Sequence, residues 1–109
     1  MEKNSLELSN DGKTLECVLD QTLHHITIPN SVTKINNEAF WSYTSLESID
    51  IPNSVIEIGD WAFYGTSLGR IVIPKSVSLI GNFAFSSCTS LKSINLPNSE
   101  IVIGGISDI

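Results

Sequence analysis

"LESIDIPNSVIEIGDWAFYGTSL", residues 46–68, is preceded and followed by near copies of itself. Pro29, Pro52, Pro74 and Pro97 fall 23, 22 and 23 residues apart. Aligned on those prolines, "LHHITIPNSVTKINNEAF" (23–40), "LESIDIPNSVIEIGDWAF" (46–63) and "LGRIVIPKSVSLIGNFAF" (68–85) keep one template without a gap. A fourth copy, "LKSINLPNSEIVIGGISD" (91–108), follows it and then departs. A fixed period of this length marks a stacked repeat, in which each unit buries its apolar face against its neighbours.

Each column of the template has a physical reading. Leu46, Ile49 and Ile51 have the spacing of a short strand with its inward side chains in one core. Pro52 lacks an N–H and ends ladder pairing. The Asn and Ser after it can hydrogen-bond nearby backbone, which favours a turn. Val55 and Ile58 predict a second short strand. Asn37, Asp60 and Asn82 share a column just before "EAF", "WAF" and "FAF". As favoured N-cap residues they predict a single helical turn that carries Ala and Phe inward. Gly59 and Gly81 suit a tight corner with permissive backbone angles, and "YTSL", "GTSL" and "CTSL" lead the chain into the next strand. One coil alone buries too little apolar surface to offset the entropy of ordering its backbone, so stability has to come from stacking.

The chain has 109 residues, 41% of them hydrophobic, which is about one small folded domain. Six basic against twelve acidic residues give a net charge of −6. That balance argues against nucleic acid, whose backbone selects a basic surface, and against anionic membranes. It leaves a weak preference for basic partners. No apolar run approaches the ~18 residues of a membrane span. The start, "MEKNSLELSNDGKTLE", has no apolar core of ~7–15 residues, so no signal peptide is read there. The protein then either stays in the cell or has lost a leader. Cys17 and Cys88 match no zinc motif. They fall several layers apart at ~4.8 Å per layer, and a disulfide needs Cα atoms within ~7 Å, so no bridge between them is expected.

Leu-x-x-Ile-x-Ile-Pro-x-Ser-Val, Ile-Gly and Ala-Phe at this period resemble the BspA-like leucine-rich repeats, over residues 23 to about 104. The resemblance implies a right-handed leucine-rich-repeat solenoid, mainly β with short helical turns, of about 3.5 coils, with a strand-lined concave face. It also implies a surface or secreted protein linked to adhesion. Repeat residues in that family are structural, so no catalytic residue and no cofactor is carried over.

The expected organisation is a capping hairpin over 1–22, then coils over 23–45, 46–67, 68–90 and an incomplete 91–109. In the cap, Leu6 and Leu8 alternate, "NDG" is a turn signal, and Leu15, Cys17 and Leu19 alternate again. In the last coil, Glu100 takes the valine column of Val32, Val55 and Val77, while Ser107 and Asp108 take the Ala-Phe columns. These polar changes make either a blunted cap or the unfinished end of a fragment. An open edge would favour a homo-oligomer paired end to end.

Two groups of residues are candidates for partner binding. The first strand of each coil presents two rows on the concave face: His25, Ser48, Arg70, Ser93, then Thr27, Asp50, Val72, Asn95. They are either a protein-binding face or simply solvated strand residues. Trp61 and Phe83 share one corner column with Glu38, and Trp41 and Tyr64 share another with Ser86. They are either an exposed patch for protein contact or packing between coils. His24 and His25 are consecutive on a strand and point to opposite faces, so they cannot easily share a metal ion. The serines fall in turn columns, and no phosphate-binding glycine run is present, so no enzyme constellation is read. The leading function is a non-catalytic protein-interaction module. The alternatives are a structural unit that self-associates through its last coil, and a sugar-binding module using Trp41 and Trp61.

Overall fold

A computed structural model describes residues 5–96 and the backbone of 102–103. The expectations placed on Glu100, Ser107 and Asp108 lie outside the described residues. The chain begins with an antiparallel hairpin, β1 (Leu6–Leu8) and β2 (Thr14–Val18), with a register irregularity between Glu7 and Leu8. Its turn is the "NDG" read from the sequence. Gly12 sits at φ 75°, in the left-handed region where a side chain would be strained. Lys13 N–H donates to Asp11 Oδ1 (3.0 Å), and that bond holds the Asp11 carboxyl below its ordinary range.

Each coil then contributes two strands. The first strands are β3 (His25–Thr27), β5 (Ser48–Asp50), β7 (Arg70–Val72) and β9 (Ser93–Asn95). The second strands are β4 (Lys34–Ile35), β6 (Glu57–Ile58), β8 (Leu79–Ile80) and β10 (Val102–Ile103). The second strands pair in parallel with the same column of the next coil throughout, as Ile35 does with Ile58, and among the first strands β3 pairs with β5 and β7 with β9, as His25 does with Ser48. The second strands form a six-stranded sheet in the order β1-β2-β4-β6-β8-β10, so the hairpin closes its first edge. The fold is the leucine-rich-repeat solenoid that the template implied.

The core runs along the axis as stacked columns. Val32, Val55 and Val77 are buried, as are Ile35, Ile58 and Ile80, and Leu46 and Leu68. Phe40, Phe63 and Phe85 form a continuous ring stack, with centroids 4.9 and 5.4 Å apart and interplanar angles of 10° and 2°. Parallel in-register coils put identical side chains one rung apart, which is why the sequence repeats.

The corners differ from expectation in three ways. First, no helical turn forms at "EAF", "WAF" and "FAF". Alternate N–H groups leave the coil: Glu38, Phe40 and Ser42 donate to Asp60 O (2.9 Å), Ala62 O (2.8 Å) and Tyr64 O (2.7 Å). Glu38, Trp61 and Phe83 sit at φ 61°, 59° and 56°, and Ser42 and Ser87 at 57° and 59°. Left-handed residues recurring within one corner bar a right-handed helix, so the corner is a ladder of turns shared between coils.

Second, the Asn/Asp column does not cap its own coil. Asn37 Oδ1 accepts from Asp60 N–H (2.8 Å), and Asp60 Oδ1 accepts from Asn82 N–H (2.7 Å). Stacking brings the next coil's N–H into the place where a helix would have offered its own. That ladder also explains Gly59 and Gly81, neither of which has positive φ. A Cβ on Gly59 would fall 2.7 Å from Asn37 N and 2.9 Å from Asn36 C, and one on Gly81 would fall 2.5 Å from Asp60 N. The glycines provide room for the neighbouring coil, not permissive angles.

Third, the turns after Pro29, Pro52 and Pro74 are closed by backbone. Val32, Val55 and Val77 donate to Pro29 O, Pro52 O and Pro74 O, each at 3.2 Å. Ser31 Oγ reaches across to Gly12 O (2.8 Å), while the hydroxyls of Ser54 and Ser76 are buried without a partner.

Candidate interaction surface

The first strands sort their residues by face. Ile26, Ile49, Ile71 and Ile94 turn inward, and strand alternation sends both neighbours of each out. All eight members of the two expected rows are exposed: His25, Ser48, Arg70 and Ser93, and Thr27, Asp50, Val72 and Asn95. Val72 is 51% exposed, unusual for a strand valine in an otherwise polar row.

Parallel register ties the two rows together at the N-terminal end. His25 Nδ1 lies 2.6 Å from Ser48 Oγ, and its Nε2 lies 3.1 Å from Asp50 Oδ2. Thr27 Oγ1 donates to the same carboxylate oxygen (3.4 Å). His25 therefore bridges a serine and an aspartate, a grouping the sequence reading missed by assigning the serines to turns. The signal was available: His25, Ser48 and Asp50 occupy outward positions on consecutive rungs. His24 turns away, with Nδ1 3.1 Å from Ser45 O and 3.7 Å from Glu47 Oε2. The two histidines are not brought together. Among the described residues no group of three or more His, Cys, Asp or Glu side chains could hold a metal ion.

The serine cluster has composition but not enclosure. The His25 and Asp50 side chains are 47% and 70% exposed, so water screens their interaction. An activated serine needs a sheltered site with fixed donors for a developing oxyanion, and this cluster lies on an open strand face. What it offers is an ordered array of hydrogen-bond donors and acceptors. Beside it lies a depression of about 320 Å³, lined by Ile49, Asp50, Ile51, Asn53, Val72 and Pro74. A second, of about 360 Å³, lies over the Asn37–Asp60–Asn82 ladder and reaches Lys34 and Glu57.

The aromatic residues lie in the corner after the second strand, apart from the first-strand face. Trp41 stacks on Tyr64 (5.6 Å, 19°), Trp61 stacks on Phe83 (4.9 Å, 26°), and Trp61 meets Tyr64 edge-on (5.3 Å, 72°). They form a second ring ladder outside the phenylalanine stack. Trp61 and Tyr64 are half-buried and Trp41 is 48% exposed. The rings pack between coils, and their outer edges stay in solvent.

Tyr43 and Cys88 direct their polar atoms to backbone carbonyls inside the stack. The Tyr43 hydroxyl donates to Leu23 O (2.7 Å), and burial, with the Asp20 charge second, pushes its pKa up. Cys88 occupies the Tyr43 column and donates to Phe63 O (3.0 Å). Burial and then the Glu7 charge raise the Cys17 thiol. Both cysteines are free. No helix among the described residues is long and apolar enough to cross a membrane.

Comparison with known proteins follows the same lines. Residues 16–106 match the profile of the BspA type leucine-rich repeat region, in 6 copies. No curated protein matches the sequence. Among solved structures the chain is similar to a leucine-rich repeat protein from Eubacterium ventriosum, with 34% identity and a TM-score of 0.77 over 83% of this chain and 25% of that one. It is similar to a leucine-rich cell surface protein from Faecalibacterium prausnitzii, with 42% identity and a TM-score of 0.60 over 66% of this chain and 19% of that one. It is also similar to the pneumococcal vaccine antigen PcpA, with 26% identity and a TM-score of 0.68 over 91% of this chain and 24% of that one. The chain thus spans a quarter or less of the length of each. With its stacked coils, its shared fold and a profile match over most of its length, the chain belongs to the BspA type leucine-rich repeat family.

Proposed function

We propose that this chain is a non-catalytic protein-interaction module, part of a cell-surface or adhesin-like protein, and that it meets its partner through the first-strand face. The observation that carries this reading is the contrast within each first strand. The inward residue is isoleucine in every coil, whereas the outward residues change from coil to coil and are all exposed. Nothing in the packing of the core demands histidine, arginine or aspartate at those positions. The solved cell surface protein from Faecalibacterium prausnitzii supports the location. The net charge of −6 and the exposed Asp50 favour a partner that presents basic groups.

The test is a quantitative pull-down from extracellular and surface extracts, comparing wild type with Asp50→Arg and Trp41→Ala. Asp50→Arg is expected to reduce recovery of the specific partner about tenfold or more, the scale of an interface hot spot, with Trp41→Ala close to wild type. Loss on Trp41→Ala alone would move the contact to the aromatic corner and sink the strand-face reading.

The non-catalytic part has its own check. Wild type and Ser48→Ala are expected to cleave p-nitrophenyl acetate at the same slow rate, because exposed histidines alone account for it. A rate that depends on Ser48 would make the His25–Ser48–Asp50 cluster an active site and overturn this half of the proposal.

A further inference from the structure

The two sides of the stack are not built alike. The second strands pair without interruption, whereas the first strands form two separate pairs, β3 with β5 and β7 with β9. At the joint between coils one and two, Glu47 N–H donates to His24 O (2.8 Å) and Ile28 N–H to Asp50 O (3.1 Å). At the joint between coils three and four, Lys92 N–H donates to Gly69 O (2.9 Å) and Ile73 N–H to Asn95 O (3.0 Å). The equivalent donors at the middle joint are Gly69 and Ile51, and neither bonds across to Glu47 O or Val72 O; the coils are tied on this side just before the strands, where Ser67 N–H donates to Leu46 O (3.1 Å) and Ser67 Oγ to Thr44 O (2.6 Å). The corner and the second-strand side of that joint keep their full ladders. Trp61, Phe63 and Gly65 donate to Asn82 O (3.0 Å), Ala84 O (2.8 Å) and Ser86 O (3.1 Å), and β6 pairs with β8.

The cause can be read in the chain. Coils one and three reach their next strand through Tyr43-Thr44-Ser45-Leu46 and Cys88-Thr89-Ser90-Leu91. Each is closed by a turn, Leu46 N–H to Tyr43 O (3.2 Å) and Leu91 N–H to Cys88 O (3.0 Å). Coil two has Thr66-Ser67-Leu68, one residue fewer. Thr66 keeps the column, since its N–H donates to Phe63 O (3.3 Å) as Tyr43 N–H does to Phe40 O (3.2 Å). Leu68 keeps its place in the core at 0% exposure. With both ends held, the backbone between them absorbs the missing residue, and β7 arrives without bonding to β5. The 320 Å³ depression lies on this seam.

We infer that the middle joint is a hinge built into the solenoid. The cap with coils one and two forms one half, coils three and four form the other, and the stack opens on its first-strand side about the continuous second-strand sheet. Asp50 stands on one lip of the seam and Arg70 and Val72 on the other, so opening changes the spacing between the two halves of the exposed rows. The hinge rests on backbone bonding and holds whether or not those rows bind a partner.

Hydrogen exchange on the full chain tests it. The amides of Gly69 and Ile51 are expected to show protection about tenfold or more below that of their column equivalents Glu47, Lys92, Ile28 and Ile73, as for a joint that opens locally below the global unfolding cost. Equal protection would overturn the hinge. A second variant inserts one serine after Ser67, restoring the 23-residue spacing of the other coils. Its Gly69 and Ile51 amides are expected to rise to the level of their equivalents. A folded insertion variant that leaves both amides unprotected would overturn the assigned cause, and if the insertion does not fold, the wild-type comparison alone decides.

Discussion

Phe63→Ala is expected to lower stability by about 3–5 kcal/mol, the range for losing a buried aromatic ring and leaving a cavity. Phe63 is fully buried and is the middle ring of the stack, touching Phe40 on one side and Phe85 on the other. Removing it breaks the apolar continuity between coils one and three at once. For a domain of this size each kcal/mol moves the melting temperature by about 4–8 °C. Phe63→Ala should therefore melt tens of degrees below wild type or be unfolded at room temperature, since the total stability of such a domain is only about 5–15 kcal/mol. Thermal unfolding followed by circular dichroism reads this directly. Trp41→Ala is the internal control, because it removes one exposed stacking contact worth about 0.5–1.5 kcal/mol. If the two variants melt together, the phenylalanine stack is not what holds the coils.

Gly59→Ala should be damaging out of proportion to the single methyl group it adds. The added methyl carbon would sit 2.7 Å from Asn37 N and 2.9 Å from Asn36 C, and neither is a flexible side-chain end that could swing away. Relief requires coils one and two to separate at the corner where Asp60 N–H bonds Asn37 Oδ1. The expected cost is about 1–3 kcal/mol, as for overpacking in a tight interior. Gly69→Ala provides the contrast. A methyl group there meets nothing within 4 Å, and the φ of Gly69 is not in the left-handed region. It should be neutral, or stabilising by about 0.4–1 kcal/mol through the unfolded chain. Denaturant titration of both variants measures the difference. Equal midpoints would mean that glycine is not required for close approach between coils.

The solenoid was legible because its columns are written out in order. Leu46, Ile49, Val55, Ile58 and Phe63 recur at one spacing, and a repeated spacing has few solutions other than stacked coils. The exposed rows followed from the same register, since an outward residue on one rung faces its equivalent on the next. The corners were not legible, and Asn37 shows why. Asparagine before a short apolar run has two ways to satisfy backbone donors, one within its own coil and one in the next, and the local sequence is compatible with both. Gly59 was misassigned for the same reason: a demand for room and a demand for permissive angles leave the same letter.

The serine, histidine and aspartate of the first-strand face were each visible as outward residues, yet their contact depends on which rungs are adjacent and in what register. The hinge lies further still from the linear pattern. The 22-residue spacing between Pro52 and Pro74 can be counted in the sequence, but a missing residue could have been absorbed anywhere around the coil. The sequence by itself determined the repeat, the inward columns and the list of residues free to vary, because each follows from periodic burial of apolar side chains. Only the tertiary structure decided where the backbone bonds go: Asn37 to the next coil, Glu38 across the corner, and Ile51 to no neighbouring strand. Those choices are made between coils, where a donor takes whichever acceptor stacking brings within reach.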